Sequence, residues 1–253
     1  MAKRSPDVDR VLSIKQPEQR TPEWYETRNG LLTASDVAAA LGINPYQSKR
    51  SLLIRKCTVD TPSKSSQNNP FTAHGNYYED HARNTFSKMY NIETFEVGLF
   101  VHPVYKWLGG SPDGIAADGN LIEIKCPLRR KISHEIPNYY YPQVQVCMEI
   151  LNIEGCYFIQ YKPQTITCHE TIDVMLIKRN PSWFAENLES MRAFWDEVLD
   201  IRAFPEKANF RKKVDPSRVI DLRPIDIPEP EVQFDSEDEC MIQSDSDEEC
   251  TGT

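Results

Sequence analysis

Apolar residues between 181 and 204 recur three and four positions apart, with Trp183, Leu188, Met191 and Trp195 on one stripe. That period predicts a long amphipathic helix from Pro181 to Phe204. It also marks Val144, Cys147, Met148 and Leu151 in a helix over 140–151, with Pro142 in its first turn. From about residue 76 to 90, Glu79, Ala82, Arg83 and Phe86 follow i+3 and i+4 steps. Nearer the start, Thr21, Pro22 and Gly30 bracket a short helix, Thr33 or Ser35 and Gly42 bracket another, and SLLIRKCTV (51–59) reads as a further one. Strands are predicted at TFEVGLFVH (94–102), KWLGG (106–110), GCYFIQYKP (155–163) and TITCHETIDVM (165–175), the last two antiparallel. LIEIKC (121–126) alternates cleanly, with Leu121, Glu123 and Lys125 on one face and Ile122, Ile124 and Cys126 on the other. The sum is an α/β (α+β) fold, a central mixed β-sheet flanked by helices.

Residues 1–20 show no period and read as a flexible lead-in, and TPSKSSQNNP (61–70) reads as a linker. A folded domain is expected over 21–205, then a basic and proline-rich extension over 206–228 and a disordered acidic tail over 229–253. No apolar run approaches the roughly 20 residues of a membrane span. MAKRSPDVDR is too polar for a signal peptide, so a soluble, intracellular protein with no membrane partner is expected.

Composition changes this picture in two places. The formal charge of −9 argues against a polyanion as partner until it is located: the ten acids after position 228 outweigh it, and residues 1–228 stand at about +1. Seven cysteines form no CxxC pair and no zinc-like ladder with histidine, so reduced, mostly core-filling thiols are expected.

Chemistry concentrates in SPDGIAADGNLIEIKCP (111–127). Asp113 follows a Ser-Pro turn, and Glu123 stands ten residues on across a hairpin at Asp118-Gly119-Asn120. Two carboxylates on neighbouring strands can share a hard cation, with the backbone carbonyl of Ile124 as a third oxygen. Lys125, on the strand face of Glu123, can orient an attacking water or offset developing charge. Taken alone, the pattern fits a charged hairpin about as well as a metal site.

The segment resembles the PD-(D/E)XK nuclease signature, and specifically the lambda exonuclease and YqaJ-like viral recombinase family. EWYETRNGLLTASDVAAALG (23–42), HGNYYEDHAR (74–83) and YYYPQVQVCMEI (139–150) resemble further blocks of that family, in the same order. The resemblance implies a restriction-endonuclease-like core. It also implies Mg2+, for which Mn2+ can substitute, held by Asp113, Glu123 and the Ile124 carbonyl, and no organic cofactor. Glu79 would serve a second metal or its water, Lys125 and Gln143 would be catalytic, and Tyr140 would lie close to the DNA. Arg28, Ser35 and Ser111 match positions that hold a terminal 5′-phosphate, which suits a guanidinium beside a helix start. Lys49 and Arg50 are further candidates in a loop that departs from the family pattern, and Phe71 is a candidate for the family's duplex-splitting apolar residue.

The implied activity is a magnesium-dependent DNA exonuclease that degrades the 5′ strand from duplex ends, leaving 3′ overhangs for recombination, repair or viral genome processing. The alternatives are a nicking or structure-specific endonuclease on the same core, and a catalytically silent DNA-binding module. A single-strand annealing protein is the implied partner, and either a trimeric ring or a monomer fits the family. The acidic tail, with Ser236, Ser244 and Ser246 preceding acids, suits phosphorylation in a eukaryotic host. The nucleus or a viral replication compartment is the matching location.

Overall fold

The computed structural model describes residues 4–17, 21–58, 70–166 and 168–204. The basic extension and the acidic tail lie outside the described residues, as do 61–69 of the expected linker.

Helix α1 (Pro6–Ser13) corrects the expectation of a loose lead-in. Ser5 caps it and Pro6 opens it, while Val8 and Val11, three residues apart, are fully buried. Two apolar positions in eight residues make too short a stripe to register as a period. Helices α2 (Pro22–Asn29), α3 (Ala34–Ala40) and α4 (Lys49–Cys57) follow, and Thr21 and Ser48 cap the first and last by accepting backbone N–H groups. Helix α5 (Pro70–Tyr90) begins six residues before the expected start. Helices α6 (Tyr141–Leu151) and α7 (Pro181–Ala203) stand close to where their stripes predicted. Among the described residues no helix is long and apolar enough to cross a membrane.

The strands form two sheets. In the smaller, β1 (Leu32–Thr33) pairs parallel with β4 (Leu108–Gly110), which pairs antiparallel with β3 (Phe100–Val101). The larger runs β2 (Thr94–Phe95), β5 (Gly114–Ala116), β6 (Leu121–Lys125), β7 (Gly155–Lys162), β8 (Thr171–Lys178). TFEVGLFVH is therefore not one strand: its ends belong to different sheets, because Gly98 lies against the Pro17 carbonyl and the chain crosses over there. The segment 165–175 becomes a strand only from Thr171.

Strand β6 pairs antiparallel with β5 and parallel with β7. A parallel neighbour requires a crossover, and α6 supplies it, which brings the N-terminus of α6 back over the C-terminal end of β6. The predicted alternation holds. Leu121 joins the large core with α3, α6 and α7, whereas Ile122 and Ile124 join a second cluster with Ala82 and Phe86 of α5. Completely buried Phe86, Phe158 and Phe194 each contribute roughly 1.5–3 kcal/mol of burial. A Cβ at Gly110 would press Cys147 Sγ and Ile150 Cδ1 at 3.0 Å and Ala34 Cβ at 3.4 Å, so only glycine lets β4 run this close to α3 and α6.

Candidate active site

Asp113 sits where the β5–β6 ladder stops. Its N–H donates to the Ile122 carbonyl at 3.0 Å, and its Oδ2 accepts from Ile124 N at 2.6 Å. Pro112, just before it, has no N–H with which to continue the ladder. One residue thus spans the two β6 positions on either side of Glu123, and its carboxylate is pinned beside the end of that strand.

Glu123 projects from β6 under the start of α6. Its side chain is 2% exposed, and Oε1 accepts from Lys125 Nζ and from Gln143 Nε2, the latter at 2.5 Å. Gln145 is turned elsewhere: it donates to the Lys178 carbonyl at 2.9 Å and accepts from Asn180 N at 2.7 Å, tying α6 to the start of α7. The two glutamines of α6 thus have different partners, and only Gln143 bonds Glu123. Lys125 Nζ also stands over the Tyr140 ring at 5.0 Å, a cation–π contact from the residue preceding α6.

The charges here are unbalanced. Burial first, then the nearby Asp113 carboxylate, push Glu123 up to about 8, against the opposing pull of Lys125. Burial lowers Lys125, but Glu123 and Asp113 outweigh it and the ammonium is held above its usual range. Both partners move up for one reason: two carboxylates favour the lysine charge, while one lysine does not compensate a buried acid with a second one nearby. Glu123 Oε2 is buried with no hydrogen-bond partner.

Glu79 reaches the same region from α5, on the other face of the sheet. It accepts from Arg83 at 2.9 Å, and the same guanidinium donates to the Asp113 carbonyl at 3.1 Å, to Asp80 and to Glu96. Arg83 is 8% exposed and ties α5 to the Asp113 turn. Its sequence signal was an arginine between Ala82 and Phe86 on a buried stripe, which a purely apolar face would not carry. Burial and the charges of Glu79 and Asp113 push the neighbouring Cys126 thiol up to about 12.

Arg28 and Ser35 meet: the guanidinium donates to Ser35 Oγ at 2.8 Å and lies 5.0 Å from the Trp24 ring. Ser35 is not the helix cap; Thr33 holds that position, and its hydroxyl donates to Asp36 Oδ2 at 2.8 Å. Ser111 follows directly on β4, two residues beyond Gly109, the partner of Thr33 in the parallel pair. Sequence reasoning missed the rest of this cluster. Asp36, 4% exposed, is bridged by Arg55 at 2.5 Å and by Lys56 at 3.0 Å, and Lys56 also donates to the Leu31 carbonyl. Burial pushes Asp36 up, but Lys56, Arg55 and Arg28 overcome it and hold the carboxyl far below the usual range. Three cations facing one buried acid leave excess positive charge beside Ser35, which suits an anion. Lys49 belongs elsewhere, over the Phe194 ring at 5.8 Å, and Phe71 is half-exposed in the first turn of α5 with Arg129 over its ring at 5.6 Å.

Among the described residues no group of three or more His, Cys, Asp or Glu side chains forms a ready-made metal cage. The available donors are Asp113, Glu123 and the Ile124 carbonyl, with Glu79 behind them. Magnesium accepts so sparse an oxygen set because it keeps several waters. An orphaned, buried Glu123 oxygen beside a second carboxylate is what a divalent cation would satisfy, so the residues fit one.

These features define a class: a mixed α/β chain of the restriction-endonuclease-like fold, with an Asp/Glu-x-Lys constellation at a strand end. Residues 23–154 match the YqaJ-like viral recombinase domain, just over half of the chain, and the chain belongs to that family. Its structure is similar to that of the alkaline exonuclease LHK-Exo from Laribacter hongkongensis, with a TM-score of 0.61 and 25% identity, covering 74% of this chain and 97% of that one. A phage-related exonuclease from Haemophilus somnus, 12% identical with a TM-score of 0.54 over 68% of this chain and 95% of its own, shares the fold. In sequence the chain is 32% identical to a protein of Acanthamoeba polyphaga mimivirus, over 63% of this chain and 32% of that protein. It is 29% identical to a protein of African swine fever virus, over 51% of this chain and 45% of that protein. The chain thus spans less than half the length of these viral relatives.

Proposed function

We propose that the protein is a magnesium-dependent DNA exonuclease that removes nucleotides from the 5′ strand of duplex ends and leaves 3′ overhangs for recombination or viral genome processing. The observation that carries this reading is the buried Glu123 carboxylate with one oxygen unpartnered, set between Asp113, Lys125 and Gln143 at the end of β6. Membership of the recombinase family and the likeness to an alkaline exonuclease support it.

A bound Mg2+ would supply Lewis acidity at the scissile phosphate and a water of lowered pKa. Asp113 and Glu123 would hold it, with the Ile124 carbonyl. Lys125, kept protonated by its two carboxylate neighbours, donates a hydrogen bond to the attacking water or to the phosphorane oxygen as charge builds there. Gln143, already on Glu123 Oε1, fixes that carboxylate and leaves its second oxygen as the one that would be offered to a metal. Arg28 and Ser35, beside the cationic cluster, would seat the 5′-phosphate of the strand being shortened, with Ser111 as a further ligand.

An end-labelled linear duplex with one 5′-phosphate tests the proposal. Progressive release of labelled mononucleotides from the 5′ end, dependent on Mg2+, is the expected result. Cutting of covalently closed circles at a comparable rate would point instead to an endonuclease on the same core.

A further inference from the structure

The loop between α3 and α4 holds a tyrosine out into solvent beside this site. Asn44 Oδ1 accepts from Tyr46 N at 2.8 Å and from Gln47 N at 3.2 Å, and Ser48 then caps α4, so both ends of the turn are fixed. Tyr46 is 77% exposed, more than any other large aromatic among the described residues. Its ring makes an edge contact with Tyr139, centroids 5.4 Å apart; Tyr139 lies 4.4 Å from Tyr140, and Tyr140 lies beneath the Lys125 ammonium. Three rings thus lead from open solvent to the lysine that bonds Glu123. Arg129, Arg130 and Lys131 stand on the segment that leads into Tyr139. Burial, then a hydrogen bond with Tyr46, push the Tyr139 hydroxyl up.

We propose that Tyr46, backed by Tyr139, is a stacking platform for a base of the DNA strand held at this site, contributing affinity without sequence preference. The Tyr46 and Tyr139 rings meet edge to face while most of the Tyr46 surface stays open, and an exposed ring close to a phosphodiester-cleaving centre is the setting in which aromatic side chains take bases. Hydrogen-bond readout would require fixed donors and acceptors, whereas a ring accepts any of the four bases. The inference rests on the exonuclease reading.

The test places 2-aminopurine at the terminal position of a 5′-phosphorylated duplex and titrates it with the full chain carrying Asp113→Asn, which binds without digesting. Stacking quenches the fluorophore. Adding Tyr46→Ala is expected to remove most of the quench and weaken binding about tenfold, within the range one stacked base supplies; Tyr46→Phe is expected to retain both. In the chain that keeps Asp113, Tyr46→Ala is expected to raise KM by the same factor with kcat little changed and melting unaltered. Equal quench and affinity with and without Tyr46 overturn the proposal, as does lower melting with an unchanged quench, which marks the pair as a loop clamp. Failure of the chain with Asp113 and Tyr46 intact to digest DNA under any divalent cation overturns the exonuclease reading itself, so the two failures are distinct.

Discussion

At the scale of single residues the most consequential atom is Glu123 Oε2. Burying a carboxylate oxygen with no partner is costly, and Asp113 adds a like charge nearby. Such an arrangement sacrifices stability for a site, which predicts opposite responses to one substitution. Asp113→Asn keeps an oxygen able to accept from Ile124 N but removes the charge that opposes Glu123. In the absence of metal it is expected to melt about 2–4 °C higher, on the order of 1 kcal/mol. It is also expected to lose nuclease activity by orders of magnitude, and Mg2+ should raise the melting temperature of the unsubstituted protein but not of the variant. Differential scanning fluorimetry of parent and variant, each with EDTA and with Mg2+, reads the four melting temperatures; a variant that melts lower without metal would show that Asp113 is structural.

At the scale of elements, Asp36 ties α3 to α4 through Lys56 and Arg55, with Arg28 of α2 close by. Removing one member of a buried ion pair leaves the other uncompensated, so Asp36→Asn is expected to cost about 3 kcal/mol in urea unfolding at pH 7; Arg55, half-exposed, contributes little of it. The folded carboxyl lies below its unfolded value, so its stabilisation is complete above about pH 4 and is lost as pH falls toward the folded pKa. Parent and variant should therefore differ by about 1 kcal/mol less at pH 3 than at pH 7; a constant difference would remove the charge from the explanation. Val11→Ala in α1 is expected to destabilise by about 2 kcal/mol although it is remote from the site, because Val11 is completely buried. Long-period elements were legible in the sequence: α6, α7 and β6 carry enough repeats to declare themselves, and β6 brought the Asp113–Glu123–Lys125 group with it. Elements held by partners distant in sequence were not. Helix α1 has two apolar residues, β5 is three residues of Gly-Ile-Ala, and the Asp36–Arg55–Lys56 cluster joins positions about twenty apart with no local pattern. Arg83 was visible as a stripe residue, but its four-way bonding follows from where α5 packs.

At the scale of the whole molecule, two groups of opposite sign flank α6. The buried Cys147 thiol feels Glu123 and Asp113, and also Arg28. DNA carries one kind of charge, so the negative pole would need a cation before it could approach a phosphate, whereas the positive pole would suit a phosphate directly. A strand end has what the interior lacks, a terminal phosphate bearing extra charge, and a seat for it near the cutting centre would make cleavage depend on ends. Arg28→Ala should then reduce digestion of 5′-phosphorylated duplex by about 10- to 100-fold, the worth of a charged hydrogen bond, and leave 5′-hydroxyl duplex nearly unchanged. Raising salt should act differently, slowing both substrates together, because it weakens contacts along the whole backbone. Measuring both substrates at low and high salt separates a seat for one phosphate from general attraction. If Arg28→Ala slowed both ends equally, as salt does, Arg28 would be one more backbone contact, and preference for phosphorylated ends would have to arise elsewhere in the chain.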